Sequence, residues 1–336
     1  MVPVLGTEQN KKKLQLSVGY RESYSNQLYN NARPNHDLNR LLRPKQWLNT
    51  IDVTGTYQLN SRFSVTASLP VVINNISFLI PPGVDRRFGL PARGIGDVAL
   101  LARSYVWDPL KHPTANLAFG LGMKLPTGSA GPTHIYPNVE GEFARKPATP
   151  NSIPPGDHGT GIIFEAIAFK TLTGNHILKG GNILLAANYL ANPRDTNNVP
   201  SAISNLGLAG PGDINALTNT VSDAYSLRAT FSMPLPGGAH ISSLKRVRWL
   251  ASYRWEGIPK HDLIGNNRGF RQPGYVMSVG PGVSVRLYKQ TRLSIEVPIT
   301  VNGRIDANPH MPQGEALRRF GFISPVTVLA RLTTTI

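Results

Sequence analysis

Residues 47–69 read WLNTIDVTGTYQLNSRFSVTASL, and this stretch decides the fold. In its first half, Ile51, Val53 and Tyr57 alternate with polar residues, three of which are threonines. Because successive side chains of a β-strand point to opposite faces, this spacing predicts a strand with one apolar face. The alternation resumes after Asn60–Ser61, so we predict a tight β-hairpin.

The same pattern recurs along the chain, where 32 Gly and 28 Pro leave few windows long enough for a helix. It predicts strands at 14–24, 46–59, 62–73, 95–108, 114–126, 160–172, 180–191, 222–235, 246–257, 274–287, 291–302 and 320–334. The connections between these twelve strands alternate between long and short, and the longest spans residues 127–159. That longest connection either folds inward and narrows the barrel or extends as a disordered loop.

An even number of strands with long connections at one end and short turns at the other is typical of outer-membrane barrels. We therefore predict an all-β chain in which residues 14–336 form a single up-and-down antiparallel transmembrane β-barrel of about 12 strands. Short turns and both termini lie on the periplasmic side, and the long loops are extracellular. Residues 1–13 are predicted to be a periplasmic arm.

Composition excludes several classes of protein. The chain has no cysteine, which excludes disulfide frameworks, thiolate metal sites and cysteine nucleophiles. No uncharged run is free enough of Pro and Asn for a transmembrane helix. The first residues lack the apolar stretch of a signal peptide, so we expect the mature chain of a bacterial outer-membrane protein from which that peptide has been removed.

The net charge of +16 raises two soluble alternatives, a nucleic-acid-binding protein and a basic β-sandwich coat protein. Only Lys11–Lys13 forms a basic run, and aromatic residues lie on the apolar strand faces, which argues against nucleic acid as a partner. Strict alternation of long and short connections is not expected of a sandwich. We therefore favour the membrane barrel.

Three glycine-rich motifs fall at strand ends: GIGDV at 94–98, GMKLPTG at 122–128 and PGDHGTG at 155–161. In order and spacing they resemble the porin-like outer-membrane transporter family of the MetA pathway of phenol degradation. The resemblance covers about residues 94–170, and two features depart from it. Ile162–Ile163 stands where an acidic residue often follows the third motif, and the chain ends on Ile336 rather than on an aromatic residue. The resemblance implies a barrel and hints at aromatic substrates.

The alternation assigns eight basic and five acidic residues to the barrel interior, or lumen. Those predicted to line a solute pathway are Asp97, Arg103, Lys124, Glu165, Arg228, Arg248, Arg254, Arg286, Arg292 and Glu296, and the others are Asp52, Glu256 and Arg331. The basic surplus attracts anions into a low-dielectric channel. The alternative for each residue is an Arg–Glu pair that braces the wall, and for Asp97 and Lys124 it is an ion pair at the rim.

No enzymatic chemistry is predicted. All eight histidines fall in predicted connections, which disfavours a catalytic histidine held rigidly on the barrel. His134, Asp157 and His158 share a connection, but they lack a metal-ligand motif, and we expect no metal and no cofactor.

The predicted function is therefore a porin-like channel that passes small solutes, either organic anions or aromatic compounds, through a basic lumen. A structural barrel within an envelope assembly, with other envelope proteins as partners, is the second hypothesis. Outward basic clusters in the long connections indicate contact with outer-membrane lipid and lipopolysaccharide. These clusters include Arg33, Arg40, Arg43, Lys45, Arg86, Arg87, Arg93, Arg145, Lys146, Arg318 and Arg319.

Overall fold

The main sheet of this protein is a closed antiparallel β-barrel of twelve strands, as the alternation predicts. The computed structural model describes residues 13–79, 86–137, 143–146, 150–174, 178–201, 204, 217–235, 244–266, 268–309 and 319–336. Residues 1–12, most of the predicted arm, lie outside the described residues.

Ten strands of the barrel are uninterrupted, and two are each broken once. The uninterrupted strands, numbered in chain order with the rest, are β1 Leu14–Ser25, β4 Lys45–Gln58, β5 Phe63–Leu79, β8 Ala115–Leu125, β11 Gly161–Thr171, β12 Asn182–Ala191, β15 Ala224–Pro234, β16 Val247–Ile258, β17 Gly274–Tyr288 and β21 Val326–Thr335. The broken strands are β6 Arg87–Ile95 with β7 Val98–Tyr105, and β18 Thr291–Glu296 with β19 Ile299–Ile305.

The barrel closes where the first strand meets the last. β1 pairs antiparallel with β21 from Gln15 opposite Thr335 to Tyr24 opposite Val326. Ser17 and Thr333 also share a hydrogen bond of 3.0 Å between their hydroxyls across this seam. Closure leaves no free sheet edge, which is the condition for a β-sheet to cross a lipid bilayer.

Most predicted strand ends agree with the structure to within two residues, and the largest differences lie at the end with the long connections; at the short-turn end, the predicted strand 95–108 ends three residues early, at Tyr105. The predicted connection 74–94 is wrong, because β5 continues to Leu79 and β6 begins at Arg87, well before the predicted start at 95. The predicted strand 320–334 is wrong at its start, because the barrel strand begins at Val326. The predicted strand 291–302 is interrupted at 297–298, where Pro298 has no N–H for the ladder.

The long connections carry short elements of their own. These are β2 Leu28–Asn30 and β3 Arg33–Pro34, which form a sheet with β20 Phe320–Phe322; the hairpin of β9 His134–Pro137 with β10 Phe143–Lys146; β13 Thr196–Pro200 with β14 Thr218–Thr220; and helix α1 His36–Leu42. The short turn before β16 holds a 3-10 helix, Leu244–Arg246. Within the described ranges, no helix has both the length and the hydropathy to cross a membrane. His134 lies in a strand of a connection, where the sequence predicted none.

The connection between β8 and β11 folds inward. Its Ile153 is fully buried against Ile76, Leu90 and Ala92, which lie on the inner face of the β5–β6 extension. Asn74 anchors it by donating from Nδ2 to the Ile153 carbonyl at 3.0 Å. This contact explains the long β5–β6 hairpin, since the apolar cluster stabilises strand beyond the predicted end of β5.

A second anchor joins the connections that follow β12 and β16. The side chain of Arg271 is fully buried and forms an ion pair with Asp262, which accepts the backbone N–H of Asp223 at 2.9 Å. Asp223 accepts the backbone N–H of Asn192 at 2.6 Å and that of Leu263 at 2.7 Å. The long-connection end is therefore a packed structure rather than a set of free loops.

The two faces of the barrel differ as the alternation predicts. Large apolar side chains are exposed on the outside, such as Leu121 at 60% and Val301 at 59%. The polar side chains of Thr54, Ser64 and Thr66 are buried on the inside. An apolar exterior and a polar interior are characteristic of a barrel whose outer face contacts lipid.

One side of the interior departs from this pattern. Near the short-turn end, Tyr105, Ala118, Ile167, Phe169 and Leu184 form a buried apolar cluster with Ala186 on the inner faces of β7, β8, β11 and β12. The interior is therefore apolar on that side, and its charges are concentrated elsewhere.

The face assignment can be tested at two adjacent positions of β15. Leu227 is 39% exposed on the outer face, whereas Ser226 faces the interior, paired with Glu256. We expect Leu227→Arg to reduce insertion strongly, because an arginine at mid-membrane on the lipid side of a barrel costs about 2–4 kcal/mol. Ser226→Arg places the same charge beside a carboxylate and is expected to insert. The measurement is the fraction of each variant that shows heat-modifiable migration; equal loss in both would contradict the assignment.

Candidate functional site

Arg103 and Glu165 form a buried ion pair that lies across an intervening strand. Their strands, β7 and β11, are separated by β8, and the residue of β8 paired with both is Gly120. Arg103 donates from Nε to Glu165 Oε1 at 2.7 Å and from Nη2 to Oε2 at 3.0 Å. A Cβ at Gly120 would lie 3.0 Å from Glu165 Oε1, so this glycine leaves the space in which the pair meets.

A glycine also lies between an acidic and a basic residue at the seam. Gly19 of β1 is paired with Asp52 on one side and Arg331 on the other. A Cβ at Gly19 would lie 3.5 Å from Arg331 Nη2 and 3.7 Å from Asp52 Cβ. A glycine between an acid and a base therefore recurs in register, and in both places the two charged side chains extend over it.

Glu296 is the centre of a third group. Its carboxylate accepts from Arg228 Nη2 at 2.5 Å, from Arg254 Nε at 3.0 Å and from the Ser252 hydroxyl at 2.5 Å. Gly280 leaves room for it, because a Cβ there would lie 2.8 Å from Glu296 Oε1. Two basic residues predicted for the solute pathway thus share one carboxylate.

This group extends across the barrel through Glu256. Arg254 Nη1 lies 3.6 Å from Glu256 Oε1, and Arg21 of β1 reaches Glu256 Oε2 at 3.2 Å. Strands β1 and β16 are not neighbours, since β17, β18 and β21 lie between them in the sheet. The Arg21–Glu256 contact therefore spans part of the lumen and narrows it.

Asp97 and Lys124 lie at the rim, where β6 breaks from β7. Asp97 accepts the backbone N–H of Gly128 at 2.9 Å and that of Asp157 at 3.2 Å, and its Oδ2 is 3.8 Å from Lys124 Nζ. Lys124 also pairs with the Asp157 carboxylate. Burial raises the pKa of the Asp97 carboxyl, while the Gly128 N–H and Lys124 oppose this rise.

These contacts fasten the inward-folded connection to the barrel wall. Gly128 and Gly156 meet there so closely that a Cβ on Gly128 would lie 2.8 Å from Gly156 Cα. Thr127 donates from its hydroxyl to the Gly96 carbonyl at 3.0 Å and accepts the Val98 N–H at 2.9 Å. Residues of the three glycine-rich motifs therefore contact one another at the break between β6 and β7, and these contacts hold the connection against the wall.

Arg248, Arg286 and Arg292 lie together at the short-turn end of the interior, and we call them the mouth arginines. Arg286 and Arg292 are directly opposite each other on β17 and β18. Arg248 donates from Nη2 to the carbonyls of Gly180 and Ser232, at 2.8 and 3.0 Å. Among the described residues, no carboxylate is within ion-pair distance of any mouth arginine.

A cavity of about 760 Å³ lies away from the mouth arginines. Phe63, Phe119, Leu121, Phe164 and Leu227 are among its lining residues, and all five are exposed on the outer face. It is a depression in the surface predicted to face lipid, so the candidate solute path is the interior rather than this cavity.

The ten predicted pathway residues thus divide into three locations. Arg103 with Glu165, and Arg228 and Arg254 with Glu296, form pairs in the wall; Asp97 and Lys124 are at the rim; and Arg248, Arg286 and Arg292 are at the mouth. Sequence reasoning missed Asp157 as a partner of Lys124 and Arg21 as a partner of Glu256. A glycine at an inward-facing strand position was the sequence signal that could have indicated the space in which each wall ion pair lies.

Comparison with solved structures finds the following similarities. The chain is similar to the COG4313 outer membrane channel from Pseudomonas putida F1, with a TM-score of 0.58, 11% identity and coverage of 100% of this chain and 97% of that one. It is also similar to the translocator domain of the autotransporter NalP from Neisseria meningitidis, with a TM-score of 0.45, 10% identity and coverage of 98% and 90%. For the Ralstonia pickettii toluene transporter TbuX the values are 0.43, 9%, 97% and 90%. No known family model matches the sequence, and no curated protein is significantly similar to it.

The Arg103–Glu165 pair is expected to show the cost of an unpaired buried charge. Only 4% and 3% of these two side chains are exposed. Arg103→Gln leaves Glu165 without its partner, and we expect it to destabilise the barrel by about 3–5 kcal/mol. The double variant Arg103→Gln/Glu165→Gln removes both charges and is expected to recover most of this loss. The free energy of unfolding of both variants is measured from the intensity of the folded band on a gel as the urea concentration rises. A double variant as unstable as the single one would contradict the pairing.

The role of glycine beneath the ion pairs is tested by a matched pair of alanine variants. At Gly120 the new Cβ meets Glu165 Oε1 at 3.0 Å and Leu101 Cδ1 at 3.2 Å, whereas at Gly19 the nearest atom is 3.5 Å away. We expect Gly120→Ala to lower the free energy of unfolding by about 1–3 kcal/mol through overpacking. Gly19→Ala is expected to be neutral or slightly stabilising. The same urea titration compares them, and a larger loss at Gly19 would contradict the geometry.

Proposed function

We propose that this chain is an outer-membrane channel that passes small solutes through the interior of its barrel. The observation that carries the proposal is a closed sheet with an apolar exterior and charged groups inside. A β-sandwich has two packed sheets with free edges, so the closed barrel argues against the coat-protein alternative. The fold shared with an outer membrane channel and the motifs resembling a transporter family support the same function.

The outer surface of the barrel is proposed to contact outer-membrane lipid, and its long-connection end to contact lipopolysaccharide. Tyr24 and Trp47, at the long-connection ends of β1 and β4, have ring centroids 5.2 Å apart, and aromatic residues near strand ends suit the membrane interface. Basic residues predicted for outward clusters lie at this end, and Arg87 holds one of them in place by donating from Nη2 to the Arg43 carbonyl at 2.9 Å. Positive charge at this end complements anionic lipopolysaccharide.

Two features narrow the proposed path and favour a small solute. The Arg21–Glu256 contact extends across part of the lumen, and the connection carrying Ile153 covers the β5–β6 side of the opening. The wall pairs neutralise much of the interior, and positive charge remains at the mouth. Small organic anions, or aromatic compounds with an anionic group, match this combination best.

Displacing the inward connection tests whether it narrows the path. Ile153 is fully buried, and Ile153→Asp would place a charge within its apolar cluster. We expect this variant to raise the single-channel conductance in planar bilayers, because the connection would no longer pack against the β5–β6 extension. Ile135→Asp, in the same connection at a position 52% exposed, is the control and should leave conductance unchanged.

Unchanged conductance in Ile153→Asp would show that the connection does not restrict the path. A folded barrel that never conducts, in the native chain or either variant, would overturn the channel proposal and favour the structural role in an envelope assembly.

A further inference from the structure

The charges of the interior separate into neutralised and unneutralised groups along the barrel axis. The wall arginines meet carboxylates, as at Arg103 with Glu165 and Arg228 with Glu296. The mouth arginines, by contrast, interact electrostatically with one another: Arg248 with Arg292, and Arg292 with Arg286. Arg248 and Arg292 are partly buried and Arg286 is exposed, and three like charges held this close together are unfavourable without an anion.

The mouth arginines face the inside of the barrel. Ser284 is 3% exposed and is paired with Arg248 on one side and with Ser294 on the other. Arg286 follows Ser284 by two residues and Arg292 precedes Ser294 by two, so both share this inner face. The three arginines thus share an inner face with Ser284 and Ser294, whose hydroxyls can also donate hydrogen bonds to anions.

Only one of the three has a clear structural task. Arg248 uses Nη2 to hold the carbonyls of Gly180 and Ser232, which fixes the turn before β12. Within the part of the chain that the structure describes, Arg286 and Arg292 have neither an ion-pair partner nor a side-chain hydrogen bond. Their planar donor groups are therefore available to a ligand, and guanidinium binds carboxylate and phosphate through two parallel hydrogen bonds.

We propose that Arg248, Arg286 and Arg292 form an oxyanion-binding site at the short-turn mouth, which holds the carboxylate or phosphate group of a solute in transit. The proposal rests on the channel function proposed above and adds the residues that bind the anionic group of the solute. In the orientation predicted for outer-membrane barrels, this mouth opens to the periplasm. Solute entering from the outside passes the wall pairs and reaches the mouth arginines last.

The site is tested with the full chain in planar bilayers. The probes are sodium benzoate and sodium phosphate as blockers, together with the reversal potential under a potassium chloride gradient. We expect the native channel to prefer chloride over potassium. The double variant Arg286→Gln/Arg292→Gln leaves the Arg248 contacts in place, and it should reduce this preference and raise the half-blocking concentration about tenfold.

The control removes the same charge at the same end of the barrel. Lys179→Gln/Lys289→Gln alters two exposed residues in short turns and should keep native selectivity and block. Native selectivity in the control would show that position, rather than net charge, sets the effect. Stronger block by benzoate would identify a carboxylate ligand, and stronger block by phosphate a phosphate ligand. Selectivity and block unchanged in the double arginine variant would overturn the site.

A second measurement separates failure of the site from failure of the channel. Ligand binding stabilises the folded barrel in detergent and raises its melting temperature. If benzoate or phosphate stabilises the native chain but not the double arginine variant, the site stands even if no conductance is seen. If the double variant itself melts far below the native chain, the mouth arginines are paired within the chain, and the proposal is wrong.

Discussion

Closure of the sheet is the constraint on which the rest of this structure depends. In a bilayer, every backbone N–H and C=O group must find a partner within the protein, and pairing of β1 with β21 supplies the last set. Once closed, the barrel directs alternate side chains inward, whatever their chemistry. Polar residues on the inner faces are thereby brought within reach of residues that are distant in sequence, such as Ser17 and Thr333 across the seam.

The interior resolves its charges by pairing across glycine. An arginine and a carboxylate on strands two apart cannot meet if the strand between them carries a side chain at the same height. Gly120 removes that obstacle for Arg103 and Glu165, Gly19 has the equivalent position between Asp52 and Arg331, and Gly280 provides space for Glu296. The cost of desolvating each charge is offset by short, partly bidentate hydrogen bonds, as between Arg103 and Glu165.

Period-two alternation sufficed to predict the class of fold, the number of barrel strands and the direction in which most side chains point. It could not predict the extension of β5 beyond 73, because that extension depends on Ile153, which approaches from another connection. Nor could it pair Arg21 with Glu256, since contacts across a lumen follow from barrel curvature and not from local spacing. The apolar run Ile183–Ala187 did carry a signal, because its lack of alternation matches the apolar cluster on the inner side of β12.

Residue type alone therefore does not assign a role to an inward arginine. Arg228 and Arg292 have the same side chain on the same kind of face, yet one lies 2.5 Å from a carboxylate and the other lies opposite Arg286. The first stabilises the wall, because its charge is already matched before any solute arrives. The second has no carboxylate partner among the described residues and lies at the short-turn mouth, and an unmatched charge at the mouth of a channel gives it a preference among ions.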